Sequence, residues 1–169
     1  MDEFDAINDH FAKYAKLLME DPSERFGALR KCSFFQPVSD DWLRRISQMA
    51  RIRTFHSDVS IATQDDDMKA FYVILYGAAD AYRNGKVVGT IETGDCFGEG
   101  IFFSDGTLST SATVIADDKI VAAEFSKNVI EELQADPHAM VSMNKALLLA
   151  LFKKLRGANQ KIERLMLAA

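Results

Sequence analysis

The dipeptide Asn84-Gly85 lies between two strand-like runs, Ala78 to Arg83 and Lys86 to Glu92. It constrains the chain more than any other short feature. Both residues accept the positive φ of a type I′ turn, so the flanking runs are expected to fold back as an antiparallel hairpin. The same texture extends over residues 51–125. Phe71-Tyr72-Val73-Ile74-Leu75-Tyr76 ends at Gly77, and Ser111 to Ala116 and Ile120 to Phe125 flank Asp117-Asp118-Lys119. Short β-prone runs broken by Gly, Asp, Asn and Ser predict about eight antiparallel strands in a barrel or sandwich.

The flanks have a different period. Phe4, Ile7, Phe11, Tyr14 and Leu18 recur at helical spacing, and Asp21-Pro22-Ser23 ends that helix. A short helix around Glu24 to Arg30 and another over Asp40 to Met49 complete an N-terminal zone, residues 1–50. Residues 126–169 return to helix. Ser126 is placed as an N-cap, and Asp136-Pro137 marks a break and restart. The last helix then runs for about thirty residues. In it Val141, Leu148, Leu155 and Ile162 stand seven apart, as do Leu151, Ala158 and Leu165. The two sets interleave as a and d positions of a heptad. A helix of this length cannot bury itself on one small β-domain. A parallel homodimer is therefore expected, with Leu148, Leu151, Leu155, Ala158, Ile162 and Leu165 at its seam and Lys154 and Lys161 solvated beside it. The fold class is α+β, mainly β.

Composition narrows the function classes. The 169 residues fit a single domain able to bury a core without metal or disulfide staples. A net charge of −5 argues against DNA as the main partner. No run approaches a membrane span, and the acidic start Met1-Asp2-Glu3 is unlike a signal peptide. Cytoplasm is the expected compartment. Cys32 and Cys96 form no CxxC, the three histidines are scattered, and Asp65-Asp66-Asp67 lacks the spacing of a calcium loop, so no metal is expected. There is no P-loop, HExxH or Ser-His-Asp pattern, and the chain is not expected to be an enzyme.

Three segments in the middle carry a resemblance. Phe71 to Asp80 is similar to the "YfIlsGxvxv" strand pair of cyclic nucleotide-binding domains. Ile91-Glu92-Thr93-Gly94-Asp95-Cys96-Phe97-Gly98-Glu99 resembles the "lxxGdxFGE" opening of that family's phosphate-binding cassette, and Ala112 to Ala116 its "ATVxA" exit strand. The resemblance implies a β-roll or jelly roll with N-terminal helices and a long C-terminal helix. It implies a sensor or regulatory module whose ligand is cAMP or another cyclic nucleotide. It also implies that Glu99 accepts the ribose hydroxyl while Gly98, Gly100 and nearby amides line the site. A loose placement against the family's final helix adds Asn159 as a contact to the base.

The sequence departs from the family at the phosphate. The family's arginine falls on Thr110 or Ser109, and no Lys or Arg occurs between Lys86 and Lys119. The hydroxyls of Ser109, Thr110 and Ser111 replace hydrogen bonds but not charge. A charge-assisted pair contributes about 1.5–3 kcal/mol, so phosphate affinity should fall by about 10²-fold or more. Glu99 would then stand near an anion with no compensating cation. The glycines that flank the preceding strand in the family are replaced by Ser57-Asp58 and Gln64-Asp65-Asp66. No residues follow Ala169 to form the DNA-reading domain of the family's transcription factors, and no DNA partner is expected. Two readings stand: a module that binds a small effector and signals through its last helix, and a degenerate, ligand-independent dimerisation or scaffold domain.

Overall fold

The computed structural model describes residues 3–103 and 108–168, with side chains from Asn8 onward. Three helices, α1 (Glu3–Glu20), α2 (Pro22–Lys31) and α3 (Asp40–Met49), precede eight strands. These are β1 (Arg51–Phe55), β2 (Ser60–Ala62), β3 (Ala70–Tyr76), β4 (Ala78–Arg83), β5 (Lys86–Glu92), β6 (Cys96–Phe97), β7 (Thr113–Ala116) and β8 (Ile120–Ser126). Two helices follow, α4 (Lys127–Ala135) and α5 (Pro137–Leu167). The strands form two four-stranded antiparallel sheets, ordered β1-β8-β3-β6 and β2-β7-β4-β5. This is the expected β-roll.

Local chemistry sets the boundaries. Asp21 caps α2 by accepting from the amides of Ser23 and Glu24, and Asp136 caps α5 through those of His138 and Ala139. In both helices proline follows the cap, where its missing N–H costs nothing. Ser126 occupies the N-cap position of α4 but makes no side-chain cap bond; it is still the last residue of β8. The hairpin turns as expected, with positive φ at Asn84 and Gly85 and Arg83 paired to Lys86. Asp58 and Asp65 adopt positive φ in the two loops where the family resemblance called for glycine. Aspartate is among the few residues that tolerate that region.

The apolar residues divide into two cores. Phe71, Val73, Leu75, Val121, Ala123 and Phe125 point from β3 and β8 toward the helices, where they meet Leu29, Phe35, Leu43, Ile130 and Leu147. The alternate residues Tyr72, Ile74, Ile120 and Ala122 fill the space between the sheets with Ile91, Phe97 and Val114. Arg25 ties the helices together, donating to the carbonyls of Leu18 and Met19 at the end of α1 and of Ser47 in α3.

Helix α5 splits into two halves. Ala139, Met143, Ala146 and Leu147 are buried against the domain, whereas every described residue from Leu151 onward is exposed. Replacing Leu147 by alanine should cost about 2–5 kcal/mol, measured by chemical denaturation. A cost below 1 kcal/mol would show that the proximal half is not anchored as described.

Candidate functional site

The sheet interior carries small residues at its open end. Ala62, Ala70, Ala81, Gly89 and Ala112 leave space that larger side chains would fill, and a cavity of about 1400 Å³ results. Its floor is the β-roll, including Tyr72 stacked on Phe97 with ring centroids 4.9 Å apart. Its far wall is α5, from Ala146 to Arg164. Burial and the neighbouring Glu124 carboxylate, which accepts the Tyr72 hydroxyl at 3.0 Å, hold that phenol above its ordinary pKa.

The cassette follows β6. Gly98 has φ +78 and is the N-cap of a single 3₁₀ turn, Glu99–Phe102. A Cβ at Gly98 would lie 2.5 Å from the Ala70 carbonyl oxygen, so the turn can press against β3 only with glycine there. Phe102 packs edge-on to Phe71, and its carbonyl accepts from the Gln134 side chain of α4 at 2.7 Å. The cassette is therefore joined to the helices behind it.

Of the expected site residues, Gly98, Glu99, Gly100, Ser109, Thr110 and Ser111 all line the cavity. The segment Asp105 to Thr107 lies outside the described residues. The Ser109–Thr110 stretch is pinned to the loop after β2: Asp67 bridges Ser109, Thr110 N–H donates to the Asp66 carbonyl, and Asp65 N–H donates to the Thr110 carbonyl. The Thr110 amide is thereby committed to the Asp66 carbonyl. Asn159 is not brought to the others. It is exposed and absent from the cavity wall, standing seven residues from both Phe152 and Met166 on the outward side of α5. At about 100° per residue, the neighbours Ala158 and Gln160 reach the wall instead.

Cations reach the edge of the cassette turn from α5. Lys154 Nζ lies 2.6 Å from Glu99 Oε1, whose side chain is only 12% exposed. Lys153 Nζ lies 2.5 Å from Asp95 Oδ1. Lys161 donates to the Val88 carbonyl at 3.1 Å, and Arg164 also lines the cavity. This corrects two expectations: Glu99 does have a compensating cation, and Lys154 and Lys161 are engaged with the β-roll rather than solvated beside a seam. The heptad reading hid them. The available signal was that the 31 residues of α5 hold six Lys or Arg against one Glu in a chain of net charge −5.

Burial pushes the thiols of Cys32 and Cys96 up to about 12, so both stay protonated and unreactive at neutral pH. Among the described residues there is no cluster suited to a metal ion, and no helix is long and apolar enough to cross a membrane.

A family model described as the cyclic nucleotide-binding domain matches residues 52–136, half of the chain. No curated protein matches significantly. Among solved structures, the sensor domain of the transcriptional regulator DNR from Pseudomonas aeruginosa shares 23% identity at a TM-score of 0.61, covering 86% of this chain and 95% of that one. The regulatory domain of Toxoplasma gondii PKA, solved with cAMP, shares 19% at 0.63, covering 80% and 50%. The c-di-GMP-responsive global regulator CLP of Xanthomonas campestris shares 17% at 0.65, covering 76% and 65%. These likenesses establish the fold.

Replacing Gly98 by alanine should destabilise the protein by more than the ~1–2 kcal/mol that positive φ alone costs an L-residue, because the Ala70 carbonyl must also move. For a domain of this size each kcal/mol lowers the thermal midpoint by about 2–4 °C. An unchanged midpoint would refute the close approach.

Proposed function

Since the chain belongs to the cyclic nucleotide-binding domain family, we propose that it is a cytoplasmic, non-catalytic sensor module that binds an anionic effector between β-roll and α5. The observation that supports this most is the position of Glu99, at the cassette turn and facing a cavity roofed by basic residues of α5. In this reading Glu99 accepts a ribose hydroxyl. Gly98 and Gly100 let the backbone come close, and the hydroxyls of Ser109, Thr110 and Ser111 donate to phosphate oxygens. Lys154 supplies the charge that the family's arginine would otherwise bring. A ligand that draws Lys154 or Glu99 toward itself changes the contact between α5 and the cassette. The Phe102–Gln134 hydrogen bond carries any movement of the turn into α4.

The readout is a homodimer through α5. Leu148, Leu155, Ile162 and Leu165 are 55–67% exposed, and with Phe152 and Met166 they form an apolar stripe on the side away from the cavity. Asn159 falls within that stripe and belongs to the seam in this reading. Of the six seam positions expected from the heptad, Leu151 and Ala158 also line the cavity. Ligand and partner subunit thus bear on one helix.

A ligand-independent scaffold is the second reading. It is favoured by the ion pair that already occupies Glu99 and by the absence of an arginine in the described part of the cassette. Calorimetric titration with cAMP, cGMP and c-di-GMP separates the two. The sensor reading expects one of them to bind, and Glu99→Ala to weaken it by at least about tenfold, the equivalent of roughly 1.4 kcal/mol. Thr110→Arg should raise cAMP affinity by about tenfold or more. If none binds, the scaffold reading stands.

For assembly, the double variant Leu155→Asp, Ile162→Asp should be monomeric by light scattering, because unpaired carboxylates in an apolar seam cost several kcal/mol. A variant that remains dimeric places the interface elsewhere.

A further inference from the structure

The charges around the cavity are sorted by side. Asp66, Asp67, Asp95 and Glu99 face it from the β-roll, and the cations that face it, apart from Lys69, come from α5. Lys153 and Lys154 are engaged by Asp95 and Glu99. Lys161 and Arg164 form no ion pair with any described residue, yet both line the cavity one helical turn apart. With a rise of 1.5 Å per residue, they stand about 10 and 15 Å beyond Lys154 along the helix axis. The wall therefore offers positive charge at two places, one beside Glu99 and one at the far end over β5.

Size agrees with this division. The cavity, about 1400 Å³, exceeds the roughly 300–1,000 Å³ of ordinary small-molecule pockets. A cyclic mononucleotide seated at Glu99 has one phosphodiester and would leave the far end unfilled. Between the two charged ends the α5 side of the wall carries only Gly157, Ala158 and Gln160, which are uncharged and, at the first two positions, small enough to leave room for flat bases.

We propose that the effector is a bis-anionic ligand of cyclic-dinucleotide type, with two phosphodiesters and two bases, and that Lys161 and Arg164 hold its second phosphate. The proposal rests on the sensor reading and deepens it. Lys154 serves the first phosphate and the Glu99 carboxylate together. Lys161 exchanges the Val88 carbonyl for a phosphate oxygen, and Arg164 offers two parallel donors to the same group.

The test is calorimetry on the full chain with c-di-GMP and cAMP, on the wild type and on the double variant Lys161→Gln, Arg164→Gln. Both substituted positions are exposed, so the fold is kept, and an unchanged circular dichroism spectrum checks this. Expected are binding of c-di-GMP at least tenfold tighter than cAMP, and at least a tenfold loss for c-di-GMP in the variant with cAMP changed less than twofold. If cAMP binds as tightly as c-di-GMP, or if c-di-GMP binding is indifferent to the two substitutions, the proposal is overturned and the sensor reading survives. If neither nucleotide binds the wild type at millimolar concentration, both are overturned.

Discussion

Strands β3 and β8 have no solvent-facing side. Every residue of β3 from Ala70 to Leu75 is buried, and β8 is buried from Ile120 to Phe125 except at Glu124. The pairing of these two strands is what the two cores share: one set of side chains meets the helices and the alternate set fills the roll. Because side chains alternate with a period of two, a one-residue slip would exchange the contents of both cores at once. The register is thus held from both faces. The cassette turn, pressed against β3 at Gly98, inherits that fixed reference.

Against this rigid frame the site is asymmetric. The β-roll half is set by backbone: a glycine turn, a bridged loop and the packed floor of Tyr72 on Phe97. The α5 half is set by long, flexible side chains on a helix whose distal part is exposed. The Lys153–Asp95 and Lys154–Glu99 pairs have lysines 69% and 42% exposed, so each contributes no more than about 1 kcal/mol. Contacts of that size hold a helix in place without committing it. Under the proposed sensor reading, a ligand would reposition α5 only by the difference in its affinity for two helix positions. In that reading contacts to α5 would supply the difference, and contacts confined to the β-roll would not.

Most of the fold was legible in the sequence because local chemistry dictated it. Asn84-Gly85 fixed a hairpin, Asp136-Pro137 a helix start, and the change of period at residue 51 the boundary between helices and strands. Gly98 and Glu99 were legible as well, since the cassette is a contiguous motif. The cationic wall was not. Lys154 meets Glu99 across 55 residues of chain, and periodicity states which residues share a helical face but not what that face covers. The same heptads that marked Leu155 and Ile162 as a seam placed Lys154 and Lys161 beside it, although one face of the helix looks outward and the other into the cavity. Asn159 stands off the cavity wall for the same reason, one step of about 100° around the axis from Ala158 and Gln160.

The pairing of β4 with β5 has a consequence of another kind. Their register shifts between Ala81 and Tyr82, which pair with Gly89 and Val87, and Val88 is left as an extra residue. β5 is also the outermost strand of its sheet, with Val87 and Val88 nearly half exposed. A flat, apolar strand at that position is a template for another chain to add to. An extra residue of this kind bends a strand, and Lys161 donates to the Val88 carbonyl. The helix that walls the cavity therefore also occupies one backbone acceptor of this edge strand. In the proposed sensor, a ligand that drew α5 away from the roll would also release the Val88 carbonyl, so opening of the helix and protection of this edge would oppose one another.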